Sequence, residues 1–154
     1  MSQIAVSHRT DIQFMRIALA LAARGLGRVA PEPAAGCVIV QNTSLPTIVG
    51  RGWASSSTPQ QAESDALNRA GVLAKGACVY LTNEPVECSA LIDAGVARVV
   101  IGLLDPKAGY TGLGAERLRK AGIEVVTDML VDDARRLNEG FVRLHTQERP
   151  LVTR

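Results

Sequence analysis

The sequence predicts an α/β domain, a three-layer α-β-α sandwich with about five strands in one mixed sheet. Three observations lead there. The runs 77–81 and 97–104 are almost continuously apolar, as strands buried on both faces are. Beyond Lys75, such runs alternate with segments whose apolar residues recur at helical spacing. The chain has 154 residues, 47% of them hydrophobic and 21% charged, which suits one domain over 1–154 with a full-sized core and excludes a disordered chain.

The elements follow in order. Thr10 and Gln13 have capping-box spacing, so a helix should begin after Thr10, bury Ile12, Met15, Leu19 and Ala22, and end at Gly25 and Gly27. Strands are expected over 36–41 and 47–54, joined by the turn formers Asn42, Thr43 and Ser44. After a polar loop at 55–58, Thr58 as N-cap, Pro59 at the first helical position and Gln61 three residues past the cap predict a second helix. A strand over 77–82 leads to a short helix at 88–94 closed by Gly95. The strand at 97–104 leads through a glycine-rich loop to a helix at 114–121 closed by Gly122. A strand at 123–127 and one long helix over 131–146 complete the pattern.

Composition removes several function classes. No apolar run approaches the roughly 18 residues that span a bilayer. The first eleven residues lack the basic-then-apolar order of a secretory signal, so a cytoplasmic protein is expected. Seventeen basic and 15 acidic residues give a net charge of +2, scattered along the chain, so neither nucleic acid nor a membrane is expected as partner. The three cysteines have no paired spacing. Cys37 and Cys78 lie inside apolar runs and read as buried free thiols.

Chemistry is expected where a strand end, a loop and a helix N-terminus meet. Two places qualify: Gln60-Gln61-Ala62-Glu63, and the stretch from Thr82 and Asn83 through Glu84-Pro85-Val86-Glu87-Cys88. Around them the chain resembles the zinc-dependent deaminases of the cytidine-deaminase fold. Among these it is most similar to the deaminase domain of the riboflavin-biosynthesis enzyme that acts on a phosphoribosylated diaminopyrimidine. The resemblance runs through 23–27, 31–40, 49–53, 90–100, Asp105-Pro106, 137–141 and 149–153, nearly the whole chain. It implies the cytidine-deaminase type of sandwich. In such deaminases three protein ligands hold zinc, the metal lowers the pKa of a bound water, and a glutamate shuttles the proton.

Against that pattern the ligand positions have changed. The family's His-x-Glu reads Gln61-Ala62-Glu63, which keeps the glutamate and replaces the histidine by an amide. The cysteine expected after the proline is Val86, which cannot bind metal. Cys88 is the only thiol left nearby, one position early for the short Pro-Cys-x-x-Cys form, in which the second ligand would fall at Ser89. His8 and His145 lie near the chain ends and are poor ligand candidates. Zinc, the cofactor of the family, is therefore expected to be absent, with Cys88 as the only plausible remnant ligand and Glu63 as a relict proton shuttle.

The substrate contacts differ too. A loop rich in His, Gly and Arg, which separates the two cysteines in the riboflavin deaminases, is missing between Pro85 and Cys88. The family's Pro-Asn-Pro is Pro31-Glu32-Pro33, its His after the strand aromatic is Ala54, and its Asp-Pro-Asn-Pro is Asp105-Pro106-Lys107-Ala108. A ligand pocket bounded by Glu32, Ala54, Gln61, Glu84 and Lys107 is expected.

Each of these residues also has a plain structural reading. Glu63 suits the first turn of a helix, Gln61 a capping box, and Pro85 the end of a strand. Gly109-Tyr110-Thr111-Gly112-Leu113-Gly114 lacks the lysine of a P-loop.

The leading expectation is a non-catalytic, deaminase-like domain that binds a small ligand of pyrimidine or flavin-precursor type, or a protein partner. The first alternative is an active zinc deaminase of the phosphoribosylated diaminopyrimidine with an unusual metal site. The second is an interaction module, a homo-oligomer or a partner of a homologous enzyme. No reductase domain is expected, since a reductase would start near the end of this chain in bifunctional relatives.

Overall fold

The computed structural model describes residues 8–58 and 60–146. Pro59, the resembling stretch at 149–153 and part of the leader reading lie outside them. The order is α1 (His8–Ala23), β1 (Gly36–Gln41), β2 (Thr47–Trp53), α2 (Gln61–Ala70), β3 (Cys78–Asn83), α3 (Ser89–Ala94), β4 (Arg98–Leu103), α4 (Leu113–Lys120), β5 (Glu124–Val126), α5 (Val131–Leu137) and α6 (Glu139–Thr146). A single turn of 3₁₀ helix at Gly71–Ala74 follows α2. Among the described residues no helix is long and apolar enough to cross a membrane.

The five strands form one mixed sheet in the order β2-β1-β3-β4-β5. β1 is antiparallel to both neighbours, with a bulge between Ile39 and Val40 on the β2 side, whereas β3, β4 and β5 run parallel. Side chains alternate across the sheet, so two cores form. Cys37, Ile39, Val79, Leu81, Val99 and Ile101 pack against residues of α2, α3 and α4. Val38, Val40, Tyr80 and Val100 face the other way, against Met15 and Ala18 of α1 and Met129 before α5. This is the expected three-layer sandwich.

α2 lies unusually close to the sheet because its inward residues are Ala62, Ala66 and Ala70, opposite Gly50 and Gly52 of β2. A Cβ on Gly50 would overlap the Ala66 carbonyl oxygen, so only glycine allows this approach. The close packing sets the depth at which the first turn of α2 meets the ends of the strands.

Three expectations need correction. α1 is already helical at His8, which places Thr10 inside the helix instead of at its cap. α2 starts at Gln61, not after a Thr58 cap; Gln60 is the N-cap, at φ 59° and ψ 22°, with no side-chain capping bond. The Gln61 amide is committed instead to the preceding loop. The long terminal helix is broken at Asn138, because that side chain pairs with a distant backbone. The Ala34 N–H donates to Asn138 Oδ1 at 2.8 Å, and Asn138 Nδ2 donates to the Ala34 carbonyl at 2.8 Å. The remaining boundaries shift by one or two residues, as helix and strand ends do.

Candidate functional site

A cavity of about 260 Å³ opens where β1 begins, β2 and β3 end, and α2 points its N-terminus. Glu32, Ala54, Gln61, Glu63 and Glu84 all line it, so five of the sequence-selected residues do come together. Lys107 does not. It lines a smaller adjoining groove of about 80 Å³, where its ammonium sits 5.2 Å from the centre of the Tyr110 ring. Val86 stands at the cavity wall with 46% of its surface exposed. Trp53 packs in the opposite layer, beneath the Arg24 guanidinium.

Gln61 closes the loop over the cavity. Its Oε1 accepts from the Ser55 and Ser56 N–H groups at 2.9 and 3.2 Å, and its Nε2 donates to Ser55 Oγ at 2.8 Å. Both ends of the amide are thereby engaged, and the 55–56 backbone is tied to the start of α2.

Two residues later, Glu63 sits partly open to the cavity but enclosed by protein on its other sides. Burial pushes its carboxyl above the usual value, and a hydrogen bond from its own backbone N–H pulls back only partly. No other hydrogen bond or ion pair engages the Glu63 carboxylate among the described residues. Near it lies Cys37, fully buried, whose thiol is pushed well above its ordinary value first by burial and then by the Glu63 charge. It stays a neutral thiol at physiological pH.

Glu84 is built differently. Its Oε1 accepts from the N–H groups of Asp105 and Gly112 at 2.8 and 3.0 Å, and its Oε2 accepts from Ala115 N–H at 2.9 Å. The carboxylate thus ties the end of β3 to the 105–112 loop and the first turn of α4. It forms part of the cavity wall, with both oxygens engaged by backbone N–H groups. The nearby glycines serve the same junction. A Cβ on Gly114 would overlap the Pro85 carbonyl oxygen, which accounts for that glycine without a phosphate.

Asn83 falls in the second stretch where chemistry is expected, outside the residues expected to bound the pocket, and it lines the cavity. Fully buried Thr82 orients it: the Thr82 hydroxyl accepts from Gly36 N–H at 3.0 Å and donates to Asn83 Oδ1 at 2.6 Å. That leaves the Asn83 amide nitrogen, on the cavity wall, without a hydrogen-bond partner among the described residues.

The positions that would hold zinc offer poor donors. Gln61 offers a neutral amide already bonded at both ends, and Val86 offers no donor. Cys88 is 2% exposed in the core between α3 and α4, its thiol directed at the Gly114 and Pro85 carbonyls at 3.6 and 3.9 Å. Burial raises its pKa most; Arg117 lowers it, while Glu87, Glu84 and Glu63 raise it, so the thiolate that zinc requires is disfavoured. Glu87 accepts from the Ser89 N–H at 2.9 Å, at the first residue of α3. Among the described residues no three His, Cys, Asp or Glu side chains come together in a group able to hold a metal ion. The donor set does not fit zinc.

Comparison with known proteins identifies the scaffold. The family described as the cytidine and deoxycytidylate deaminase zinc-binding region matches residues 8–103, more than half of the chain. The chain belongs to that family. Within this deaminase family it is 41% identical, over 93% of its length, to the riboflavin biosynthesis protein RibD of Aquifex aeolicus, of which it spans 42%. It is 38% identical to the diaminohydroxyphosphoribosylamino-pyrimidine deaminase of Buchnera aphidicola subsp. Schizaphis graminum, covering 86% of this chain and 94% of that one. Among solved structures, Acinetobacter baumannii RibD superimposes with a TM-score of 0.86 at 35% identity, covering 91% of this chain and 41% of that one. The chain thus spans about two-fifths of the length of the RibD proteins it matches. The riboflavin-deaminase resemblance and the cytidine-deaminase type of sandwich both hold.

Proposed function

We propose that this chain is a ligand-binding member of the riboflavin-pathway deaminase group that holds a pyrimidine-type molecule in its cavity without zinc-assisted hydrolysis. One observation carries the reading. The cavity and Glu63 are in place, while the family's histidine and first cysteine positions carry an amide committed to a loop and an isopropyl group, and the nearby Cys88 is a buried thiol directed at carbonyls. A glutamate carboxylate in such a setting accepts hydrogen bonds from the amino and ring N–H groups of an aminopyrimidine. Without a metal to lower the pKa of a water, the nucleophile for deamination has no source.

The test is metal content and ammonia release on protein purified without chelators or a metal-binding tag. The reading expects no stoichiometric zinc and no ammonia from the phosphoribosylated diaminopyrimidine, with a pyrimidine still bound. Near one zinc per chain together with ammonia release overturns it.

The second reading is an active deaminase of that same substrate. It is favoured by the names of relatives at about 40% identity and by the retention of Glu63. It requires that Cys88 and Glu63 both be essential, so a Cys88→Ala variant with full activity would refute it. A cytoplasmic location and assembly as a homo-oligomer, or with a homologous enzyme, belong to the proposal as well. Copurification with an active deaminase supports the assembly, and a strictly monomeric, partnerless protein refutes it.

A further inference from the structure

Resting on the ligand-binding reading above, we infer that the cavity selects an unphosphorylated, neutral or cationic heterocycle with an amino group beside a ring N–H, and rejects the phosphorylated form. The juxtaposition that carries this is a half-buried Glu63 carboxylate and an exposed Glu32 carboxylate lining one cavity, with no Lys, Arg or His among its described lining residues.

Three features of the site support the selection. First, Glu63 stands in the first turn of α2, so its negative charge offsets the positive end of the helix that would ordinarily attract an anion. Second, Glu32 is exposed at the rim and forms no ion pair among the described residues, so its charge is uncompensated where a phosphate would enter. The adjoining groove does not reverse this. Its one basic side chain among the described lining residues, Lys107, lies over the Tyr110 ring, and the acidic side chains of Asp105 and Glu32 line the same groove. Third, about 260 Å³ falls just short of the roughly 300–1,000 Å³ of ordinary small-molecule sites, a size that suits a base better than its phosphoribosyl derivative.

The recognised edge follows from the donors and acceptors. A carboxylate has two acceptor oxygens and no donor, which match two adjacent N–H groups. The Asn83 amide nitrogen, held by Thr82, adds one donor for a ring carbonyl or ring nitrogen on the same molecule.

The test is calorimetric titration of the full chain with three probes that share one 2-amino and ring N–H edge: isocytosine, guanosine and guanosine monophosphate. Isocytosine should bind, and the monophosphate should bind at least ~10-fold more weakly than guanosine, since like charges at close range in a partly desolvated site repel strongly. Glu63→Gln, close to isosteric, should weaken isocytosine ~10-fold or more by removing one acceptor and the charge. Glu32→Lys, on the exposed rim, should narrow the gap between guanosine and its monophosphate. Monophosphate binding as tight as guanosine would overturn the selectivity and leave the ligand-binding reading standing. Isocytosine binding unchanged in Glu63→Gln would also overturn it. No binding of any probe by folded protein would overturn both.

Discussion

Glu63 and Glu84 are the same residue type lining one cavity, and the fold treats them in opposite ways. Glu84 accepts three backbone N–H groups from 105, 112 and 115, so its charge is solvated by the chain itself. Glu63 is enclosed with, among the described residues, only its own backbone N–H, and burial disfavours its ionised form relative to a free carboxylate. Asp11, in the other layer, behaves like Glu84: it takes a bidentate pair of bonds from Arg98 at 2.8 Å each, and the Tyr80 hydroxyl donates to it at 2.7 Å. A carboxylate with its acceptors filled is part of the frame; one left short of donors is available to a ligand.

The largest effect should come from breaking a frame carboxylate. Asp11→Ala leaves Arg98 without its buried partner and should cost about 3–5 kcal/mol in urea unfolding. Glu84→Ala orphans three N–H groups at one junction and should cost about 3 kcal/mol, with Glu84→Gln falling between it and the wild type. A loss under ~1 kcal/mol in either alanine variant would break the distinction drawn here.

Next in size, Gln61→Ala frees the 55–56 backbone and should cost about 1 kcal/mol. Gln61→His should restore an imidazole without restoring zinc, because Val86 and the committed Cys88 thiol remain; metal content is the readout.

The smallest effect has a defined sign. The Glu63 carboxyl titrates higher in the folded chain than its ordinary value of 4.5, so folding takes up a proton there. The full stability of that position is therefore present at low pH, and part of it is lost as pH rises through the folded-state value. Glu63→Gln removes the penalty: it should be slightly more stable than the wild type near pH 7, and the gain should vanish below about pH 4.5. Thermal melts across that range would show it. A variant less stable at neutral pH would mean that Glu63 has frame partners after all.

Strands were legible because their signal is local. β1 spans 36–41 as expected, since an apolar run bounded by Gly36 and Asn42 leaves little freedom in its ends. Helix starts were less legible where a polar side chain had a better distant partner. Gln61 reads as a capping residue and bonds backward to Ser55, and Asn138 reads as one helical position among many and bonds across the fold to Ala34. In the site, Glu32, Ala54, Gln61 and Glu63 were legible through the family pattern. The commitment of Glu84 was not, because its partners lie 21 to 31 residues away.

The order of residues alone determined the sandwich, the family and the presence of an amide at Gln61 and an isopropyl group at Val86, because side-chain chemistry and apolar periodicity are written along the chain. Which acid stands free could be decided only in three dimensions. Among the described residues, backbone N–H groups from distant loops converge on Glu84 and none reaches Glu63 but its own; how far each charge is solvated depends on that convergence, not on residue type.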